Sequence, residues 1–262
     1  AVIQSSSATT LMVVSFVNAG IISLVEAISL IIGANIGTTL TAWLISFFGF
    51  ELNSTLYLLP LIGINIPLLF SNNRKLKNWG EMLLGFSLLF ISLNFLKSSI
   101  PPVSQDTLIA HFIQHINALG YFSYIIFVIF GILFTIIIRS SSSIFALTLV
   151  LAFNGWINFE CAAAMVLGEN IGTTIAAITA SKIANVTAKR AAYAHLVFNV
   201  IGVIWVISIF PFFIRGVNEI YMFFGGGNPF INRNEIPLAL SLFHTMFNLL
   251  NMILLIGFYY VN

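Results

Sequence analysis

The chain contains one polar element twice, and this duplication constrains its fold more than any other feature of the sequence. A Ser-Ser-Ser triplet at positions 5–7 recurs at 140–142, and the segment Asn-Ile-Gly-Thr-Thr at 35–39 recurs at 170–174. Both matches have the same offset of 135 residues. Two elements in one fixed register indicate an internal repeat, and a repeat decides the architecture before any single helix does.

The repeat lies in a chain that has too few charged residues to cover itself in water. Hydrophobic residues make up 59% of the 262 residues, and Asp, Glu, Lys and Arg only 7%, whereas a soluble domain carries about a quarter charged residues. The sequence therefore predicts a multi-pass protein of the cell's inner (plasma) membrane, with the lipid bilayer as a partner. A net charge of +2, with no basic stripe, argues against a nucleic-acid partner.

Apolar segments of two lengths are predicted to form helices. A bilayer crossing takes about 20 residues, which predicts spans at 79–97, 121–138, 191–210 and 236–261. Segment 56–70 contains two prolines and is predicted to span as a kinked or broken helix. Shorter apolar runs, separated by Gly or Asn, predict re-entrant or broken helices at 8–17, 21–34, 36–48, 144–153, 156–167 and 171–180.

The positions of the basic residues predict that the two repeats are inverted. A basic cluster at 74–77 follows segment 56–70, whereas the cluster at 182–190 precedes its counterpart, 191–205. Because Lys and Arg accumulate in short cytoplasmic loops, the two segments are expected to run in opposite directions.

The predicted fold is an all-α membrane protein with two inverted-topology repeats of re-entrant or broken helices. Residues 1–97 form repeat 1, 98–120 an extracytoplasmic connector and 121–262 repeat 2. The helix at 121–138 has a counterpart that is expected to precede residue 1.

The polar residues of the repeat need partners, because unsatisfied hydroxyls in hydrocarbon are costly. Such hydroxyls can bond back to their own helix or join neighbouring helices, but their recurrence in register favours a binding function. The repeated glycines are expected to break the helices and to free backbone groups; they are Gly33, Gly37, Gly168 and Gly172. Freed carbonyls with Ser, Thr and Asn oxygens suit sodium, whereas freed N–H groups at helix N-termini suit an oxyanion.

These motifs resemble those of the type II sodium/phosphate cotransporter family, which carries Gln-Ser-Ser-Ser and Gly-x-Asn-Ile-Gly-Thr in each of two inverted repeats. Here Gln-Ser-Ser-Ser stands at 4–7, and the second motif stands at 33–39 and 168–174. Two His-containing segments, at 194–199 and 243–248, are also similar to bacterial members. The resemblance covers nearly the whole chain and implies sodium-coupled symport of inorganic phosphate by alternating access. It implies no cofactor, and sodium is the coupling ion.

The resemblance also implies roles for individual residues. Phosphate is expected between the two serine turns, on Gln4, Ser5, Ser6, Ser7, Ser140, Ser141 and Ser142. Sodium, as the only metal ion, is expected on neighbouring oxygens of Thr9, Asn35, Thr38, Thr39, Asn170, Thr173 and Thr174. Asn199 and Asn248 each follow a histidine by one helical turn and are expected to support the site. The histidines themselves, His195 and His244, are assigned to helix packing in preference to proton relay.

Two residues of repeat 2 depart from the pattern. Arg139 stands where the family has Gln, and Glu169 stands where repeat 1 has Ala34. We predict that Arg139 either contacts the anion or pairs with Glu169, because ionisable residues at membrane depth are usually functional. The alternative is that Arg139 pairs with Glu160 or extends to water.

Other functions remain open at this point. The chain could carry another oxyanion, such as sulfate, arsenate or a dicarboxylate, because serine turns do not encode the identity of the anion. It could also be a membrane subunit that binds phosphate without moving it. An enzyme is disfavoured, since the sequence has neither a Cys/His metal cluster nor a Gly-x-Ser-x-Gly elbow. A homodimer is compatible with the sequence.

Overall fold

The computed structural model describes residues 3–51, 54–103 and 108–260, and the regular structure of these residues is helical. A π-helical segment, Phe47–Glu51, extends the second helix, and a 3-10 turn, Arg233–Glu235, leads into the last. The α-helices are α1 (Ser6–Asn18), α2 (Leu24–Ser46), α3 (Ser54–Leu69), α4 (Arg74–Ser99), α5 (Leu108–Asn117), α6 (Tyr121–Ile138), α7 (Ser141–Phe153), α8 (Phe159–Ser181), α9 (Val186–Ser208), α10 (Phe210–Phe223) and α11 (Ile236–Tyr260).

Among the described residues, six helical segments are long and apolar enough to cross a membrane. They are Leu24–Glu51, Arg74–Ser99, Tyr121–Ile138, Phe159–Ser181, Val186–Ser208 and Arg233–Leu255. They include the four spans predicted from hydropathy, and they confirm an all-α, multi-pass membrane protein. By contrast, α1 and α7 have 13 residues each. At 1.5 Å per residue such a helix reaches about 20 Å, short of a hydrocarbon core of about 30 Å.

The duplication in the sequence recurs in the helix bounds. α1 and α7 begin at Ser6 and Ser141, and α2 and α8, with 23 residues each, begin at the same offset of 135 residues. The turns between them contain Gly20 and Gly155, whose φ angles are 72° and 81°. We call α1 with α2 copy 1, and α7 with α8 copy 2. The inverted orientation of the repeats and their boundaries stay predictions.

The helix breaks predicted inside α2 and α8 are wrong. The apolar runs at 21–34 and 36–48 belong to one continuous helix, α2, and the runs at 156–167 and 171–180 belong to α8. The breaks predicted after the runs 8–17 and 144–153 are confirmed by turns at 19–23 and 154–158, and a further break separates α6 from α7.

Close packing explains why copy 2 keeps its glycines inside a continuous helix. A Cβ on Gly168 would collide with the carbonyl oxygen of Val128 on α6, and a Cβ on Gly172 would lie 2.6 Å from the Cβ of Thr135. Glycine in a helix costs about 1 kcal/mol relative to alanine, and the close approach of two helices offsets this cost. The glycines of copy 2 therefore join α8 to α6 instead of interrupting α8.

Three further segments differ from the sequence expectation. The structure continues α3 through Pro60 and Pro67, although at 16 residues α3 is shorter than the six spanning segments. The connector contains a helix of its own, α5. α10 was not predicted, because its 14 residues are too few for a span; it begins with Pro211 in its first turn, where a missing N–H costs nothing.

The central helix of the bundle is α8, in which every residue at positions 161–170 is buried. α9 packs against α8, α1 and α2, and α11 packs against α2, α8 and α7. Each of the two helices that carry a His-x-x-Phe-Asn segment therefore contacts both copies. This arrangement brings the first turns of α1 and α7 into the interior of the bundle.

Candidate functional site

Each serine triplet forms the start of a short helix. The residues before the triplets, Gln4 and Arg139, both adopt the left-handed backbone conformation, with φ angles of 50° and 59°. Few residues other than glycine do so. Ser5 and Ser140 follow in an extended conformation, and each Oγ accepts a hydrogen bond from a backbone N–H three residues later. The same uncommon turn in both copies is typical of a functional site.

Both helix N-termini open on one cavity between the copies. Hydroxyl, amide and apolar groups from α1, α2, α7, α8 and α11 surround it: Gln4, Ser6, Thr38, Thr41, Ala42, Ile45, Ser141, Ser142, Phe145, Glu169, Asn170, Thr173 and His244. The first turns of α1 and α7 contribute three of the hydroxyls. Their backbone N–H groups have no partner within the helix, as at any helix N-terminus.

The structure brings many of the predicted site residues together. The cavity contains Gln4, Ser6, Thr38, Ser141, Ser142, Glu169, Asn170 and Thr173. An adjoining depression shares Gln4 and Thr38 and adds Ser5, Thr9, Gly33 and Gly37. The other predicted residues line neither space; they are Ser7, Asn35, Thr39, Arg139, Ser140, Gly168, Gly172, Thr174, Asn199 and Asn248.

Several cavity residues were not predicted. Thr41, Ala42 and Ile45 follow Thr38 by three, four and seven positions. Extending the helical face of Thr38 would have found them. No signal in the sequence indicated Phe145, which belongs to an apolar run.

Two hydrogen bonds connect the serine turn of copy 1 to its surroundings. Ser7 Oγ donates to the carbonyl oxygen of Thr173 in copy 2 at 3.4 Å. Thr41 Oγ1 donates to Gln4 Oε1 at 3.3 Å, which holds the Gln4 amide beside α2. Ser7 therefore joins the two copies, although it does not line the cavity.

The paired threonines of each copy make the same local hydrogen bonds. Thr38 and Thr39 donate to the carbonyl oxygens three residues earlier, both at 2.8 Å, and Thr173 and Thr174 do so at 2.7 Å. A hydroxyl that has given its proton to its own helix keeps only acceptor capacity. Thr38 and Thr173, which line the cavity, therefore offer it lone pairs of the kind that a cation needs.

A buried hydrogen-bond chain joins copy 1 to α9, and at its end Asn199 Nδ2 has no partner among the described residues. Thr10 Oγ1 lies 3.3 Å from His195 Nδ1, and His195 Nε2 lies 3.0 Å from Asn35 Oδ1. Asn35 Nδ2 then donates to Asn199 Oδ1 at 3.0 Å. Both amide atoms of Asn35 are thus engaged by protein, away from the cavity. The chain agrees with the packing role predicted for His195.

The corresponding part of copy 2 has polar atoms without partners. Phe145 takes the position of Thr10 in the repeat, and it stacks on His244 of α11 with ring centroids 5.8 Å apart. His244 Nδ1 and Asn248 Oδ1 are buried, and neither has a hydrogen-bond partner among the described residues. Asn170, the counterpart of Asn35, donates to the carbonyl oxygen of Val166 on its own helix.

The two charged departures of repeat 2 lie apart. Glu169 is 2% exposed, and its Oε1 accepts a hydrogen bond from Thr148 Oγ1 at 2.8 Å. Arg139 is exposed and ends α6, with its backbone N–H bonded to Thr135. The Arg139–Glu169 pair that the sequence suggested is therefore absent from this structure. Glu169 is the one Asp, Glu, Lys or Arg among the cavity residues described above.

A match to a family model identifies the protein family to which this chain belongs. A family model described as Na+/Pi-cotransporter matches residues 1–98 and 112–226. The chain belongs to the Na+/Pi-cotransporter family. The matched segments contain every cavity residue except His244, because α11 lies beyond the second match.

Curated relatives of this Na+/Pi-cotransporter family member come from several bacteria. The uncharacterized protein YqeW of Bacillus subtilis is 33% identical over 203 residues, which cover 77% of this chain and 63% of YqeW. YjbB proteins, whose name proposes inorganic phosphate export, are 32% identical in Salmonella typhimurium and 31% in Escherichia coli K12. Those matches cover 77% of this chain and 36% of YjbB, so the chain spans about a third to two thirds of these relatives. No solved structure gives a significant match.

Proposed function

We propose that this protein is a secondary transporter that moves inorganic phosphate together with sodium across the cell's inner membrane, by alternating access between the two repeats. One observation carries the proposal. The N-termini of α1 and α7, each preceded by the same left-handed turn, open on a single cavity that contains Ser6, Ser141 and Ser142. Family membership and the phosphate-related names of the YjbB relatives support it.

Neutral donors suit an oxyanion at this cavity. The N-terminus of a helix carries about half a positive charge and presents unpaired N–H groups. Two such termini, with three serine hydroxyls and the Gln4 amide, can surround an anion that has several oxygen atoms. The cavity residues include no Lys or Arg, so the bound anion would remain exchangeable, as transport requires.

Sodium is proposed to bind to cavity oxygens beside the anion. Thr38 and Thr173 retain acceptor capacity, because their protons are donated to Asn35 and Asn170 carbonyl oxygens. A cation and an anion in one poorly solvated cavity lower each other's burial cost, and this mutual stabilisation is a coupling free energy. The inverted repeats predicted from the basic clusters would supply the alternating access.

The direction of transport depends on the driving gradient. A sodium symporter imports its anion when sodium is more concentrated outside, whereas the YjbB name proposes export. Phosphate accumulated in the cytoplasm could drive export through the same cavity. Two candidates stay open beside phosphate symport: transport of another oxyanion, and binding of phosphate without transport.

Radiolabelled phosphate uptake into proteoliposomes tests the proposal. We expect uptake to rise when an inward sodium gradient replaces an inward choline gradient, and to fall when unlabelled phosphate competes. Competition by sulfate or arsenate at equal concentration would instead indicate a different anion. Binding without uptake would indicate a non-transporting subunit, and uptake that ignores sodium would contradict the coupling.

A pair of serine variants connects the transport to the cavity. We expect Ser141→Ala to lower the apparent phosphate affinity about tenfold, because a hydrogen bond to a charged group contributes about 1.5–3 kcal/mol. The control is Ser15→Ala on α1, an exposed serine bonded to Leu11 of its own helix, for which the affinity is expected to be unchanged. Equal affinities for the two variants would contradict the placement of the anion.

A further inference from the structure

Glu169 and its hydrogen-bond partner occur in copy 2 and have no counterpart in copy 1. Glu169 is buried on α8, and Thr148 on α7 donates to its carboxyl group at 2.8 Å. At the offset of the repeat, Thr148 corresponds to Val13 and Glu169 to Ala34. Both members of the pair are therefore replaced by apolar residues in copy 1. The helix bounds around them are the same at the offset of the repeat.

Among the residues that the structure describes, none with a positive charge lines the cavity beside Glu169. A buried carboxylate needs a positive partner or several donors to stay ionised. Thr148 Oγ1 has one proton for two acceptors, Glu169 Oε1 at 2.8 Å and the Ile144 carbonyl oxygen at 2.9 Å, and Arg139, the partner suggested by the sequence, is exposed. The carboxyl group lines the same cavity as Ser6, Ser141 and Ser142. An anion on these serines would be repelled by a neighbouring carboxylate, because like charges interact strongly in a poorly solvated space.

An independent feature of the cavity also indicates a missing ligand. His244 is 9% exposed, lines the cavity and stacks on Phe145 of copy 2, and its Nδ1 has no hydrogen-bond partner among the described residues. In copy 1 the corresponding histidine, His195, has both ring nitrogens engaged by protein. A buried ring nitrogen without a partner is expected to be satisfied by a bound group.

We infer that Glu169 provides the charged ligand of a sodium site on the copy 2 side of the cavity. Asn170 and Thr173 line the same cavity as Glu169. Thr173 Oγ1 keeps its lone pairs, and the Asn170 side-chain carbonyl is available because the amide nitrogen is bonded to Val166. Carboxylate, amide and hydroxyl oxygens are the ligands that hard cations prefer. This inference rests on the proposed function, and it adds that the copies are unequal: the ion is held by a charged ligand in copy 2, and copy 1 contributes neutral groups.

The proposal predicts opposite effects of one substitution with and without sodium. In the native protein the carboxylate repels the anion until sodium neutralises it, so phosphate affinity depends on sodium. Glu169→Gln removes both the repulsion and the ion's charged ligand. We expect the apparent phosphate affinity of the native protein to fall at least tenfold when choline replaces sodium. For Glu169→Gln the change is expected to be below threefold, and its affinity in choline should exceed that of the native protein.

Two further variants make this measurement decisive. Glu160→Gln is the matched control, because it makes the same chemical change on α8 at a residue that does not line the cavity; it is expected to keep the native sodium dependence. The double variant Thr148→Val/Glu169→Ala installs the pair found in copy 1 and leaves no unpaired hydroxyl. It is expected to lose the sodium dependence as Glu169→Gln does, and it replaces that variant if Glu169→Gln does not fold. A tenfold or larger sodium effect in either Glu169 variant would overturn the proposal.

Thermal unfolding without phosphate separates this site from the proposed function. Purified protein in detergent is heated in sodium chloride or choline chloride of equal ionic strength. We expect sodium to raise the unfolding midpoint of the native protein and of Glu160→Gln, but not of Glu169→Gln. A shift that persists in Glu169→Gln, or is absent from the native protein, overturns the site and leaves phosphate transport unaffected. The expected shifts in a protein that fails to move phosphate would support the site and contradict the proposed function.

Discussion

Copy 1 and copy 2 can be compared residue by residue, because their helices keep the same bounds at a constant offset. Both begin with a serine triplet after a left-handed residue, and both carry Asn-Ile-Gly-Thr-Thr in the second helix. They differ in what surrounds these elements. In copy 1 both side-chain polar atoms of the asparagine are bonded to α9, one to His195 and one to Asn199. In copy 2 the same position lines the cavity beside Glu169 and a histidine with a free nitrogen.

The backbone of the two copies is more alike than the side chains around it. The turns and capping serines stayed alike, because they set the direction of the helix N-termini. The surroundings of the second helix differ between the copies. In copy 1, α2 is joined to α9 through polar contacts, whereas in copy 2, α8 is joined to α6 through glycines. A site between two unequal copies can bind two unlike ions.

The largest expected effect concerns the glycines that distinguish the copies. Gly168→Ala should lower the free energy of unfolding by about 3 kcal/mol, because its Cβ would collide with the Val128 carbonyl oxygen and overpack the α6–α8 contact. Gly33→Ala, at the same place in copy 1, meets nothing within 4 Å and should be neutral or stabilising by up to about 1 kcal/mol. Thermal unfolding in detergent measures both. Equal unfolding midpoints for the two variants would contradict the difference in packing between Gly168 and Gly33.

The two histidines should differ in what they contribute. His195→Leu leaves Asn35 without its donor and Thr10 without its partner, so we expect a loss of about 2 kcal/mol in stability. His244→Leu removes a ring nitrogen that has no partner, so the loss in stability should be below about 1 kcal/mol, whereas phosphate uptake should fall.

The measurements are thermal unfolding and uptake on the same preparations. The reverse pattern, with His244→Leu the less stable and His195→Leu the less active protein, would contradict the assignment of a closed copy 1 and an open copy 2.

Adjacent threonines of copy 1 test which helix face meets sodium. Thr38→Val should reduce the apparent sodium affinity about tenfold, or about 1.4 kcal/mol, by removing an oxygen from the cavity. Thr39→Val removes the same backbone hydrogen bond from a residue outside the cavity and should change the affinity less than about threefold. Phosphate uptake against sodium concentration gives both values. A larger effect at Thr39 would mean that the sodium ligands lie on the other face of α2.

The smallest effect is expected where the two turns differ. Arg139→Gln places the same residue before the second serine triplet as Gln4 before the first. Arg139 is exposed and lies outside the cavity. We expect phosphate affinity and its salt dependence to change less than about threefold. Uptake at low and high ionic strength provides the measurement. A tenfold loss would show that the guanidinium reaches the anion and would restore the direct contact suggested by the sequence.

The sequence by itself determined the membrane character, the duplication and the serine turns. Few charges, long apolar runs and a gap-free repeat are local and additive properties, so they can be read without coordinates. The resemblance of the motifs to a known family further implied that Ser6, Ser141, Asn170 and Thr173 lie close together, and all four line one cavity. The prediction failed where a local preference was overridden by packing: glycine lowers helix propensity, but on α8 it permits contact with α6, and the helix continues.

Only the tertiary structure decided which copies of a motif face the cavity. Asn35 and Asn170 are both followed by Ile-Gly-Thr-Thr, yet His195 engages one and the other lines the cavity. Likewise, Glu169 and Arg139 looked like a pair in the sequence but lie in buried and exposed surroundings. Which neighbours a side chain meets depends on helices far away in the chain, here α9 and α11, and their packing positions are not encoded in the motif itself.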